Sequence, residues 1–229
     1  MGSQLVFDLL ASYPPSLENF VSGRNGECLA QLQRLVLSDD GDSAGAQFIY
    51  LWGQNGSGKS HLISAIEQRA RSLGRPVQRG ADPHDDKPAS PNRLYLVDDV
   101  QLLDNEAQQQ LFALYHQIKA NPRQALLATG SQAPAMLTMR ADLTSRLAWG
   151  LVYPLQLLSD DDKLVALNTL AAQRGISVGD GVFSYLLTRG SRDMRALTQL
   201  FDALDRFALA RGRAISLPLL RDYLQQASA

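Results

Sequence analysis

Phe48-Ile49-Tyr50-Leu51-Trp52 runs directly into Gly53-Gln54-Asn55-Gly56-Ser57-Gly58-Lys59-Ser60. Five apolar residues make a buried strand, and the next eight complete the pattern G-x-x-x-x-G-K-[ST]. Glycines in such a loop let the backbone turn its N–H groups toward phosphate oxygens, and Lys59 adds a mobile cation near the β- and γ-phosphates. Ser60 offers a hydroxyl to Mg²⁺, and a helix from about Gly58 to Leu73 points its positive end at the anion. The stretch implies a bound nucleoside di- or triphosphate. Its contacts are Gly53, Asn55, Gly56, Ser57, Gly58, Lys59 and Ser60, with His61 next on the helix either touching the ligand or bonding locally.

Upstream, the periodicity predicts a helix from Asn25 to Leu37 with Leu29, Leu32, Leu35 and Val36 on its inner face. Residues 38–45 are a polar loop, and the first 23 residues, with Tyr13-Pro14-Pro15, read as an extended arm. Downstream, residues 79–92 are too polar and Pro-rich for an element interior. A second buried strand at Leu94–Val97 ends in Asp98-Asp99, and a helix follows from about Glu106 to Ala120. Third and fourth strands are expected at Ala125–Thr129 and Leu151–Leu155. Apolar strands alternating with helices predict an α/β fold, a parallel sheet covered on both faces. After Ser159 the strands stop, and helices are expected at about 160–174, 180–189, 192–211 and 216–226, the first capped by Ser159 with Asp162. This divides the chain into an arm (1–16), a nucleotide-binding α/β domain (17–158) and a helical lid (159–229).

A carboxylate at the end of a buried strand, expected beside the strand that feeds the phosphate loop, suits a Mg²⁺ shell. Asp98 is assigned to the metal and Asp99 to the attacking water. Arg146, ending a short helix before the last strand, and Arg195, starting the long lid helix, are positioned to approach phosphates or to sit solvated on the surface. The composition is 45% hydrophobic and 20% charged with net charge −1, which lacks the basic field of a dedicated nucleic-acid binder. A single cysteine, Cys28, excludes an internal disulfide, and no apolar stretch reaches membrane-spanning length. A cytoplasmic location is expected, with no membrane partner. The scattered His61, His84 and His116 form no metal-binding pattern.

Four segments carry a resemblance: Asn19-Phe20-Val21-Ser22-Gly23, Gly58-Lys59-Ser60-His61-Leu62, Val97-Asp98-Asp99-Val100-Gln101 and Ser145-Arg146-Leu147-Ala148-Trp149-Gly150-Leu151. Together they resemble the AAA+ ATPases, specifically the nucleotide-binding core of the replication initiator DnaA, from about Leu17 onward. The resemblance implies ATP or ADP with Mg²⁺ as ligands, Phe20 and Val21 near the adenine, and Arg195 as the lid arginine that reaches its own subunit's nucleotide. It implies that Arg146 is an arginine finger pointing into a neighbouring subunit's site. A DnaA-like core without a helix-turn-helix domain is similar to the regulatory members of this family, which inactivate DnaA by stimulating hydrolysis of its ATP. Gln4, Leu5, Phe7 and Leu9 resemble the family's Q-L-x-L-P-L motif, implying the DNA polymerase III β sliding clamp as a partner, with DNA reached mostly through the clamp. Phe7 and Asp8 depart from that form, and Ser131 stands where an acid is usual, which implies feeble intrinsic ATP hydrolysis. A homo-oligomer is compatible with the resemblance. A nucleotide-gated adaptor, or a helicase-loader-type ATPase at single-stranded DNA, is the alternative reading.

Overall fold

Parallel strands build the platform that carries the phosphate loop. The computed structural model describes residues 15–37, 47–82, 90–189 and 194–227. Strands β1 (Phe48–Trp52), β2 (Val77–Arg79), β3 (Leu94–Val97), β4 (Ala125–Gly130) and β5 (Leu151–Pro154) form one sheet in the order β2-β3-β4-β1-β5. Every pairing in it is parallel. Helices α1 (Gly26–Leu37), α2 (Lys59–Ser72), α3 (Asn105–Lys119) and α4 (Ala141–Leu147) accompany the sheet, followed by α5 (Asp160–Gln173), α6 (Val182–Arg189), α7 (Met194–Arg211) and α8 (Leu217–Ala227).

The alternation of side chains along a strand sorts the core into two layers. Ile49, Leu51, Leu94, Leu96 and Leu127 face α1 and α2, meeting Leu32, Leu35, Leu62, Ile63 and Ile66. Tyr50, Tyr95, Val97, Leu126 and Ala128 face α3 and α4, meeting Leu111, Leu114, Tyr115, Ile118, Leu143 and Leu147. Burial on both faces explains why β1, β3 and β4 read as unbroken apolar runs. The helices after Ser159 build a separate apolar cluster around Leu167, Val182, Leu186, Leu197, Phe201, Leu204, Leu219 and Leu220.

Two features differ from the sequence reading. Val77-Gln78-Arg79 pairs with β3 as an edge strand, although it carries no apolar run. Its buried Gln78 accepts a 2.8 Å hydrogen bond from Arg93, so polar side chains rather than aliphatic ones hold this edge. The second difference concerns neighbours: β3 does not lie beside β1, because β4 pairs with both. Asp98 therefore ends a strand two positions from the phosphate loop, roughly 9.5 Å across the sheet.

The capping arrangement at Ser159 forms as expected: its hydroxyl accepts the Asp162 N–H at 3.1 Å, and the Asp162 carboxylate accepts the Ser159 N–H at 3.1 Å. The link from β5 to α5 is fixed against the start of α1. Buried Asn25 donates to the Gln156 carbonyl at 3.1 Å and accepts the Gln156 N–H at 2.8 Å. No helix among the described residues is long and apolar enough to cross a membrane.

Candidate functional site

The loop after β1 owes its shape to glycine at three positions. Gly56 (φ 82°) and Gly58 (φ 97°) occupy left-handed conformations open to glycine at little cost. At Gly53 the limit is space: a Cβ would stand 2.7 Å from the Leu155 carbonyl oxygen and 2.9 Å from the Ser57 Oγ. Gly58 caps α2 without any side-chain hydrogen bond, so the N–H groups at the start of the helix have no side-chain acceptor. Lys59 is only 6% exposed, and its ammonium donates to the carbonyls of Gly53 (2.8 Å) and Gln54 (3.1 Å). The Ser57 hydroxyl is buried with no hydrogen-bond partner among the described residues. Asn55 and Ser60 are exposed at the rim. Helix N–H donors without a side-chain acceptor among the described residues, a buried ammonium and an orphaned hydroxyl on one loop fit a phosphate group.

At the ends of β3 and β4 a single hydroxyl organises two carboxylates. Thr129, fully buried, donates to the Asp98 carboxylate and accepts the Asp99 N–H at 3.0 Å. Asp99 is the one non-glycine residue with positive φ (50°) among those described, a conformation that costs about 1–2 kcal/mol. Gln101 Nε2 donates to the Asp99 Oδ1 at 3.0 Å, and Gln101 Oε1 accepts the Ser131 N–H at 3.0 Å. Asp98, Asp99, Thr129, Gln101 and Ser131 thus form one network, in which Ser131 takes part through its backbone. Thr129→Val keeps the shape and strands a half-buried carboxylate oxygen and an N–H. It should lower stability by about 1–3 kcal/mol, read as a fall in Tm.

Phe20 lies against the loop, since a Cβ on Gly58 would come within 2.8 Å of its Cε2. Val21 is half-buried beside it. The His61 ring bonds to the N-terminal segment: its Nε2 meets the Ser16 carbonyl at 3.0 Å, and the ring stands 5.5 Å from that of Phe20. A carbonyl only accepts, so Nε2 carries the proton. The turn it fastens is closed by Ser16 N–H to Asn19 Oδ1 (2.8 Å) and Asn19 N–H to Ser16 Oγ (3.2 Å). Burial holds the His61 pKa below 6.5, outweighing the opposing bond to Ser16. Because the unfolded chain takes up this proton first, His61 contributes stability above pH 6.5 that is lost as pH falls toward its folded value. The Tm should therefore drop more between pH 7.5 and 5.5 in the wild type than in His61→Gln.

Arg146 and Arg195 lie in separate places. Arg195 is exposed in the first turn of α7. Arg146, in the last turn of α4, stacks on Trp149 with its Cζ 3.8 Å from the ring centroid. Its Nη2 lies 3.3 Å from His116 Nε2, and Phe112 is 5.1 Å away. Lys119 sits 4.7 Å from the same Trp149 ring. Sequence reading missed Thr129, Gln101 and this aromatic cradle. A hydroxyl closing an otherwise apolar strand was the available signal for Thr129. Gln4, Leu5, Phe7 and Leu9 lie outside the described residues.

Residues 160–224 match the family model described as "Hda, lid domain". The whole arrangement is similar to domain III of the Thermotoga maritima replication initiation protein DnaA (TM-score 0.73, 17% identity, 93% of this chain and 97% of that one). It is also similar to AMPPCP-bound DnaA from Aquifex aeolicus (TM-score 0.70, 20% identity, 86% of this chain and 66% of that one). A mutant of Thermotoga maritima RuvB matches at TM-score 0.69 and 13% identity, over 93% of this chain and 72% of that one. The chain thus spans about two thirds of the Aquifex DnaA chain, and at these identities the likeness is one of fold. The chain thus shares the fold of DnaA domain III, and its C-terminal helices match the model of the Hda lid domain.

Proposed function

We propose that this chain regulates replication initiation by completing the ATP site of a DnaA molecule. The observation that carries the reading is the position of Arg146. Its helix α4 belongs to the layer on one face of the sheet, whereas the phosphate loop feeds α2 on the other. Gly150, just beyond Arg146, abuts Phe48 at the start of β1, and the loop leaves from the opposite end of that strand. Roughly 13 Å of strand separates those ends. Among the described residues no carboxylate pairs with Arg146, so its charge is available to an anion carried by another molecule. Placed at a transferring phosphoryl group, a guanidinium stabilises the charge that spreads over its oxygens, an effect of 10³–10⁵ in rate.

The chain's own site has a different role. Its loop N–H groups and Lys59 bind ADP or ATP, with Phe20 and Val21 toward the base and Arg195 closing from the lid. Ser60 and Asp98 would hold Mg²⁺, which neutralises phosphate charge when bound. Asp99 is the candidate to direct water, but one of its oxygens already accepts from Gln101. That bond favours slow turnover, with the nucleotide acting as a structural ligand between the lid and the sheet. The arm residues Gln4, Leu5, Phe7 and Leu9 would thread an apolar groove on the sliding clamp and confine the activity to clamp-bearing DNA.

The test is phosphate release from DnaA preloaded with ATP, with clamp-loaded DNA and this protein present. Acceleration that requires both supports the reading. No acceleration despite clamp binding would leave a nucleotide-gated adaptor.

A further inference from the structure

We infer that Trp149 positions the Arg146 guanidinium for its encounter with the partner's nucleotide, an inference that rests on the function proposed above. The backbone places the indole without help from burial. The main-chain N–H of Trp149 donates to the Arg146 carbonyl at 3.0 Å, closing the turn at the end of α4 and bringing the two side chains together. The next residue, Gly150, is pressed so closely on β1 that a Cβ would lie 1.9 Å from the Phe48 carbonyl oxygen. Trp149 therefore stands at a fixed point on the surface, 46% exposed. Its cost in exposed apolar area has no return in core packing.

What the indole holds is charge. Arg146 lies 3.8 Å and Lys119 4.7 Å from its ring centroid. Neither cation has a carboxylate partner among the described residues, and the nearby Asp142 bonds to Arg140 at 3.2 and 2.7 Å. A guanidinium stacked on an aromatic face keeps its N–H edge directed outward in the plane, the presentation that bidentate phosphate binding needs. The His116 contact restrains that plane further, with Arg146 donating to Nε2. Without the indole the charge remains and its orientation is lost. Trp149 is thus a positioning residue that acts through Arg146.

The test compares wild type, Trp149→Ala, Trp149→Phe and Arg146→Ala in hydrolysis of DnaA-bound ATP on clamp-loaded DNA, titrating each variant to saturation after a thermal melt shows that it folds. Trp149→Ala should lower the saturating rate about fivefold, the effect of losing one cation–π contact at an exposed site, at an unchanged half-saturating concentration. Trp149→Phe should recover most of the rate. A saturating rate equal to wild type in Trp149→Ala, with Arg146→Ala inactive, would overturn the inference alone. A shifted half-saturating concentration at an unchanged saturating rate would also overturn it, by making Trp149 a docking contact. Full activity in Arg146→Ala would remove the function beneath it.

Discussion

With Arg146 replaced by alanine, hydrolysis of DnaA-bound ATP should return to DnaA's unaided rate, a loss of about 10³-fold or more. The size follows from the proposed role, in which a full positive charge, already restrained in orientation, is brought to oxygens whose charge grows in the transition state. The same change should leave this chain's affinity for ADP untouched, because its own loop lies on the other face of the sheet and at the far end of β1. Arg146 is half-exposed and held by a surface aromatic contact, so its loss should alter stability by no more than about 1 kcal/mol. Arg146→Lys should recover little, since an ammonium neither stacks nor binds phosphate in a fork. Single-turnover phosphate release and calorimetric ADP binding check the two halves of this expectation.

Lys59→Ala should have the opposite profile, with ADP affinity falling at least about 100-fold while the fold persists. The ammonium rests on two backbone carbonyls of the loop and has no other described partner to satisfy. Removing one member of a desolvated charge pair costs 2–5 kcal/mol of binding, and about 2.7 kcal/mol corresponds to 100-fold. Calorimetry with ADP reads the loss directly, and an unchanged far-UV spectrum shows that α2 survives. If nucleotide bound by this chain orders the lid against the sheet, Lys59→Ala should also lower its activity toward DnaA by a smaller factor than Arg146→Ala.

Local signals carried most of what the sequence revealed. The phosphate loop, the strand feeding it and the helix leaving it are contiguous, so residues 48–73 contain their own explanation. Apolar runs marked β1, β3, β4 and β5, and periodicity marked the helices to within one or two residues at most ends, because those patterns are written along the chain. Strand order is a property of pairing between distant segments. The insertion of β4 between β1 and β3 therefore left no trace in the run Leu94–Val97. β2 escaped notice because its edge is held by backbone bonds and by Gln78 with Arg93. The same limit applies to the site. Asp98-Asp99 was legible as a strand-terminal pair, but Thr129, which fixes both, comes from β4. Arg146 was legible through Ser145–Leu151, whereas its cradle joins residues of α3 to the turn after α4. His61, read as a ligand contact or a local bond, bonds through its ring to Ser16, a partner from the distant N-terminal segment.

The central claim is that the arginine and the nucleotide it serves belong to different molecules. The direct test loads radiolabelled ATP on one protein at a time, either on DnaA or on this chain, then mixes the two on clamp-loaded DNA and follows release of labelled phosphate. The account predicts fast release only when the label is on DnaA, abolished by Arg146→Ala. Fast, Arg146-dependent release from ATP bound to this chain alone would contradict it.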